Sequence, residues 1–400
     1  MEQGIDLTTL AVIAGCVVVW GMVSARMERW NISAPMFFVL AGLALANGPT
    51  AIAEVGLAST GLRDIAELTL AVVLFADAAQ VQARDLGHDA GPPTRLLLIG
   101  LPLTMVLGTL AARWLLPDLS WWVCAVIGTA VAPTDAALGA TIVEDERVPA
   151  RVRRVLNVES GLNDGIATPF VKLALVAAVA GTALELESEG GALRELVWGA
   201  VGGALVGLVG GWLLAQARAR GWGSATTHSS AVAALAVGAF AALDQLGGNG
   251  FIAAFVAGLA YGAITRRAPD AALHFTHHVG GVLSMLVWFL FGAVMLPVLQ
   301  YAGWREAVFA LLALTVVRMV PVALALLGVG FDRFTVAVIG WFGPRGLASV
   351  VFALLAVDAL SSAEGLRVVA AITATVVGSV VLHGASAAPV SSRYGAAEGS

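Results

Sequence analysis

The sequence predicts an all-α polytopic membrane protein with about thirteen transmembrane helices. Three observations lead there. Of 400 residues, 59% are hydrophobic and only 12% charged, against about 25% charged in an ordinary soluble domain. The apolar residues gather in runs of about 17 to 25, the length a helix needs to cross ~30 Å of hydrocarbon. These runs are continuous and rich in Ala, Leu, Val and Gly, without the period-two alternation of a barrel strand.

Along the chain the runs lie near 7–23, 32–48, 65–82, 96–116, 120–142, 155–180, 195–216, 228–246, 250–265, 279–300, 304–327, 334–357 and 367–387. Residues 1–400 therefore read as a single membrane unit with no separate soluble domain. The 46 glycines suit it. Helices in lipid associate by close backbone contact, which stretches such as Gly199-Ala200-Val201-Gly202-Gly203 permit; they report packing only.

Charge sets the orientation. With the N-terminus outside, fourteen arginines fall in inside segments, including Arg84, Arg266 and Arg267. Outside there are five, namely Arg63, Arg113, Arg194, Arg305 and Arg367, so the positive-inside rule places the C-terminus in the cytoplasm. The acidic stretch Glu185, Glu187, Glu189 is then an outside loop. An acidic start (Glu2, Asp6) followed by a full-length span argues for an uncleaved first helix in the plasma membrane. Cys16 and Cys124 sit inside spans, so neither a disulfide nor a metal site is inferred. A net charge of −5 with no basic patch offers nucleic acid nothing.

An ionised side chain at the bilayer centre costs about 3 kcal/mol or more, so each needs a partner, a water-filled cavity or a function. Asp77 lies in the third span, Asp135 in the fifth, Glu159, Asp164 and Lys172 in the sixth, Arg318 in the eleventh and Arg345 in the twelfth. Helical spacing in the sixth stacks Ser160 over Asp164 and Glu159 over Asn163. A hydroxyl one turn from a carboxylate offers two oxygen ligands to a hard cation such as Na⁺. The same carboxylate can hold a proton instead, so Na⁺ and H⁺ would compete for one group. That competition is the core of an exchanger.

The fifth span contains Ala132-Pro133-Thr134-Asp135 and the twelfth Gly343-Pro344-Arg345-Gly346. A proline at mid-helix removes a donor and frees a carbonyl, as the broken helices of carriers do at the bilayer midplane. The two breaks are seven spans apart. An odd separation orients them oppositely, as an inverted repeat requires, with Asp135 and Arg345 as opposite charges near the two breaks.

These residues resemble a known family: the cation:proton antiporters, in the branch holding bacterial sodium/proton antiporters and animal sodium/proton exchangers. The likeness rests on APTDAALG (132–139), VPARVRRVLNVESGLNDGIATP (148–169), GNGFIAAFVAGLAYG (248–262) and GWFGPRGLAS (340–349), with weaker support from LFADAAQVQARDL (74–86). The resemblance implies that Asp164 carries the proton and the cation in turn, with Ser160, Asp135 and Thr134 completing a Na⁺ site. It implies that Glu159 pairs with Arg345, that Asn163 steadies Glu159, and that Arg318 is structural. It also implies an inverted repeat with two crossed broken helices and a homodimer. With Asp164 the one clear carrier, because Asn163 holds no proton and Arg345 is expected to neutralise Glu159, exchange is expected to be electroneutral, with no cofactor beyond the transported Na⁺ and H⁺.

Several readings remain beside this one. Many family members carry an acid and two glycines where this chain has Asp77-Ala78-Ala79, so Asp77 is either part of the ion path or a buried acid awaiting a base. Lys172 reads as a snorkelling side chain. His274, His277 and His278 read as the solvated face of an inside loop rather than a pH sensor. An intramembrane aspartyl protease would need two facing aspartates sharing a proton, and no GxGD-like motif is present. A sodium-coupled organic-anion carrier would want a basic pocket where Asp135 stands. K⁺ in place of Na⁺ stays open, since ion radius is selected by cage geometry that sequence does not display.

Overall fold

The computed structural model describes residues 6–48, 51–53, 55–57, 59–80, 90–180, 191–265 and 271–398. Arg84, the Glu185, Glu187, Glu189 stretch and the Arg266-Arg267 pair lie outside them. Among the described residues the chain is helical, with no strand. In chain order the helices are α1 Leu7–Arg29, α2 Ala34–Ala46, α3 Thr60–Gln80, α4 Gly91–Leu115, α5 Trp121–Ala130, α6 Ala140–Val143, α7 Ala150–Ala180 and α8 Gly191–Ala219. Then follow α9 Ala225–Gln245, α10 Gly250–Thr265, α11 Ala271–Leu299, α12 Trp304–Ala325, α13 Arg333–Trp341, α14 Leu347–Ala359 and α15 Ser362–Glu398.

Local chemistry starts several of them. Asp6 accepts the Thr9 amide at 2.8 Å to cap α1, and Asp332 accepts the amides of Phe334 and Thr335 to cap α13. Each satisfies donors that a helix N-terminus leaves unmade. Among the described residues eight helices are long and apolar enough to cross a membrane, and α2, α5, α10 and α14 are apolar but shorter. A count by length falls short of thirteen partly because α5 and α14 are pieces of broken spans. The protein is a multi-pass membrane protein.

The helices pack in two groups. α2, α3 and α8–α11 lie chiefly on one another, as do α4–α7 with α12–α15; α3 touches α7 and α14 across the boundary. Close approach explains the glycine content: a Cβ at Gly203 or Gly207 of α8 would meet the carbonyl oxygens of Ala253 or Ala257 of α10 at 2.4 and 2.3 Å. Only hydrogen fits there.

Two expectations need correction. α11 begins at Ala271, so His274, His277 and His278 stand exposed on the first turns of a helix rather than in a loop. A continuous eleventh span was expected, yet α12 leaves helical geometry at Thr315 (φ −113°, ψ −97°) between Leu314 and Val316.

Candidate functional site: a cation site between two helix breaks

The fifth span stops being helical after Ala130 and resumes at Ala140, while α13 ends at Trp341 and α14 begins at Leu347. Pro133 and Pro344 lie in the gaps. The two non-helical segments meet. The backbone N–H of Asp135 donates to the carbonyl of Pro344 at 2.7 Å.

The Asp135 carboxylate joins them further. Its Oδ1 accepts the amides of Ala137 (2.7 Å) and Leu138 (3.2 Å), and its Oδ2 accepts the amide of Leu347 at 2.9 Å. Leu347 opens α14, so one negative side chain satisfies donors in both breaks and faces the positive end of a helix dipole. Three of about four carboxylate lone-pair positions are thereby used, which leaves room for one more ligand. Gly346 permits this approach, because a Cβ there would meet Asp135 Oδ2 at an impossible 1.9 Å.

α7 supplies the opposite wall. Thr134 Oγ1 lies 2.9 Å from Ser160 Oγ and accepts the side-chain amide of Asn163 at 2.6 Å. All three residues are buried, and Asn163 Oδ1 has no partner. An orphaned buried oxygen among two hydroxyls is costly unless something electropositive meets it. Asp164 follows immediately and, like Asp135 and Asp77, is only half-buried. Asp77 approaches the same helix, its Cβ 3.8 Å from where a Cβ on Gly161 would lie. Three carboxylates thus share one partly accessible region beside a hydroxyl cluster.

Glu159 departs from expectation. Its carboxylate is held by Arg318, not Arg345, through two parallel bonds of 2.6 and 2.8 Å. Arg345 instead donates from Nη1 to the carbonyls of Ala132 (2.6 Å) and Pro133 (3.2 Å), and from Nη2 to Ala313 (3.4 Å). The reason is local supply. The fifth-span break and the interruption of α12 free carbonyls around Arg345, and a guanidinium has five donors to place. Asn163 does not steady Glu159 either; its amide goes to Thr134. The interruption of α12 at Thr315 precedes Pro321, which lies in the second half of the same span, and Pro169 inside α7 lacks the N–H that the Gly165 carbonyl would accept.

Comparison with known proteins settles the family. The model of the transmembrane sodium/hydrogen exchanger family matches residues 12–393. The chain belongs to this family. Among relatives of this exchanger-family protein, a K⁺/H⁺ antiporter NhaP2 from Shewanella sp. (strain ANA-3) is 26% identical over 348 residues, 86% of this chain and 59% of the relative. A probable Na⁺/H⁺ antiporter of Schizosaccharomyces pombe is 26% identical, covering 73% of this chain and 41% of its own length. The chain thus spans about three fifths or less of these curated relatives. The sodium proton antiporter MjNhaP1 from Methanocaldococcus jannaschii at pH 8 superposes with a TM-score of 0.73 at 19% identity, over 94% of this chain and 98% of that one. That likeness is one of fold.

Within this exchanger-family chain, an exposed histidine stands near Asp77, beyond hydrogen-bond reach. His277 Nδ1 lies 3.8 Å from Asp77 Oδ1 and 3.3 Å from the side-chain nitrogen of Gln80. Asp77 therefore faces the ion region on one side and an exposed histidine on the other.

Proposed function

We propose that the protein exchanges a monovalent cation for protons across the plasma membrane, by competition of the two ions for Asp164. One observation carries the reading: Thr134, Ser160 and Asn163 converge beside Asp164, with Asp135 close by, where two helix breaks meet α7. Hydroxyl, amide and carboxylate oxygens suit a hard monovalent cation, and a half-buried carboxylate can surrender it for a proton.

Na⁺ is the first ion of this reading, with Ser160, Asp135 and Thr134 completing the site around Asp164. K⁺ is the second, favoured by the names of the bacterial relatives. Glu159, Arg318, Asn163 and Arg345 hold the surrounding helices. The reading includes an N-terminus outside, a cytoplasmic C-terminus and a homodimer, supported by the arginine distribution and the family resemblance. No catalytic bond-breaking and no cofactor are part of it.

The test is flux. Purified protein in vesicles with an acidic interior should alkalinise the interior on addition of Na⁺, with Li⁺ and K⁺ tried in turn. Failure of all three ions to move protons, with the protein inserted and folded, would overturn the reading.

A further inference from the structure

α15 carries Ser379, His383 and Ser386 at i, i+4 and i+7, one polar stripe on a largely apolar span. All three reach the second break. His383 Nε2 lies 2.8 Å from the carbonyl oxygen of Trp341, the last residue of α13. Ser386 Oγ accepts the Trp341 indole N–H at 2.8 Å, and that indole lies against the imidazole with ring centroids 5.1 Å apart. Ser379 Oγ accepts the backbone N–H of Arg345 at 2.7 Å and lies 3.1 Å from His383 Nδ1, which is also 2.9 Å from the Ser379 carbonyl. His383 and Ser379 are 2% and 0% exposed.

A helix break leaves carbonyls of one half and amides of the next half unmade, and lipid offers no water to complete them. Here α15 supplies partners on both sides of the gap. The line of contacts then continues. Arg345, whose amide is fixed by Ser379, reaches the carbonyls of Ala132 and Pro133, the residues just before Thr134.

We propose that His383 is a positioning residue for the cation site, acting through Ser379 and Arg345 on the break that presents Thr134. The proposal rests on the exchange reading above. Both ring nitrogens lie within hydrogen-bond reach of a carbonyl oxygen, Nε2 of Trp341 and Nδ1 of Ser379, so a proton on Nε2 donates to Trp341 and a proton on Nδ1 donates to Ser379; with either tautomer Ser379 Oγ still accepts from Arg345. Imidazole geometry is used here to tie two backbone strands, and His383 acts on the ion only through them.

Full-length His383→Leu, His383→Gln and Ser379→Ala proteins test this with two readouts. In the first, amide hydrogen exchange of residues 342–346 should quicken about tenfold in His383→Leu and Ser379→Ala, the loss expected of one hydrogen bond, while α8 and α10 stay unchanged. In the second, the KM for Na⁺ or K⁺, whichever the wild type moves, should rise about tenfold in His383→Leu. His383→Gln, whose amide can still donate to Trp341, should recover most of it. A merely structural histidine would lower Vmax with the folded fraction and leave KM alone, which overturns the proposal. So would unchanged exchange at 342–346, or His383→Gln no better than His383→Leu. A wild type that moves neither ion refutes only the exchange reading, and the hydrogen-exchange arm still decides whether His383 holds the break.

Discussion

Glu159 of α7 and Arg318 of α12 form a two-pronged ion pair at 2.6 and 2.8 Å, each side chain 1% exposed. The pair ties the helix that bears Asp164 to the interrupted helix beside the second break. Arg345, freed from that task, clamps the first break through its carbonyls.

Removing one partner of such a pair leaves a buried charge alone, at a cost of about 3 to 5 kcal/mol. Glu159→Gln and Arg318→Gln should each lower thermal stability in detergent, and the double variant should lose clearly less than the sum. The cycle with Arg345→Gln in place of Arg318→Gln should show much smaller coupling. Stronger coupling of Glu159 to Arg345 than to Arg318 would contradict the geometry.

Asp164→Asn should abolish exchange while leaving the protein folded and inserted. The amide keeps the shape of the carboxyl but holds neither the cation's charge nor an exchangeable acid proton. Near wild-type proton movement against Na⁺ and K⁺ in reconstituted Asp164→Asn would remove Asp164 from its role.

Gly346→Ala should displace the Asp135 carboxylate, since the added methyl falls 1.9 Å from its Oδ2. Overpacking of this kind costs about 1 to 3 kcal/mol, and the two breaks lose a shared hydrogen-bond acceptor. Exchange activity should fall more than the melting temperature accounts for. Wild-type activity and stability together would show that Asp135 can be held another way.

Exchange should be electroneutral, one cation for one proton. Asn163 holds no proton and Glu159 is neutralised by Arg318, so Asp164 is the single carrier of the reading. Moving one net charge per cycle would let 100 mV contribute about 2.3 kcal/mol. In voltage-clamped vesicles the cation gradient that nulls proton flux should not move with voltage. A voltage-dependent null point would implicate a second acid, with Asp135 or Asp77 the candidate.

Much of the site was legible because it is local. Ser160, Asn163 and Asp164 lie within five residues of one helix, and the prolines at 133 and 344 mark breaks by removing donors. His383 stands isolated among apolar residues of its span, and an isolated histidine carries no sign of the backbone it meets. The interruption at Thr315 does not coincide with a proline, since Pro321 stands six residues further along the span. The histidine cluster was misplaced into a loop because the apolar run begins near 279 while the helix extends back to Ala271.

The sequence by itself determined the solvent, the helical class and the acids that must be satisfied within the membrane, because hydrocarbon thickness and backbone hydrogen bonding act on runs and spacings along one chain. Only the tertiary structure decided which arginine meets which partner. Arg318 and Arg345 are both single bases in apolar spans, more than 150 residues from Glu159 in sequence, and nothing linear distinguishes them. The choice is made in three dimensions: Arg318 faces α7 with its fork aligned to a carboxylate, while Arg345 sits where broken helices expose carbonyl oxygens that lipid cannot satisfy.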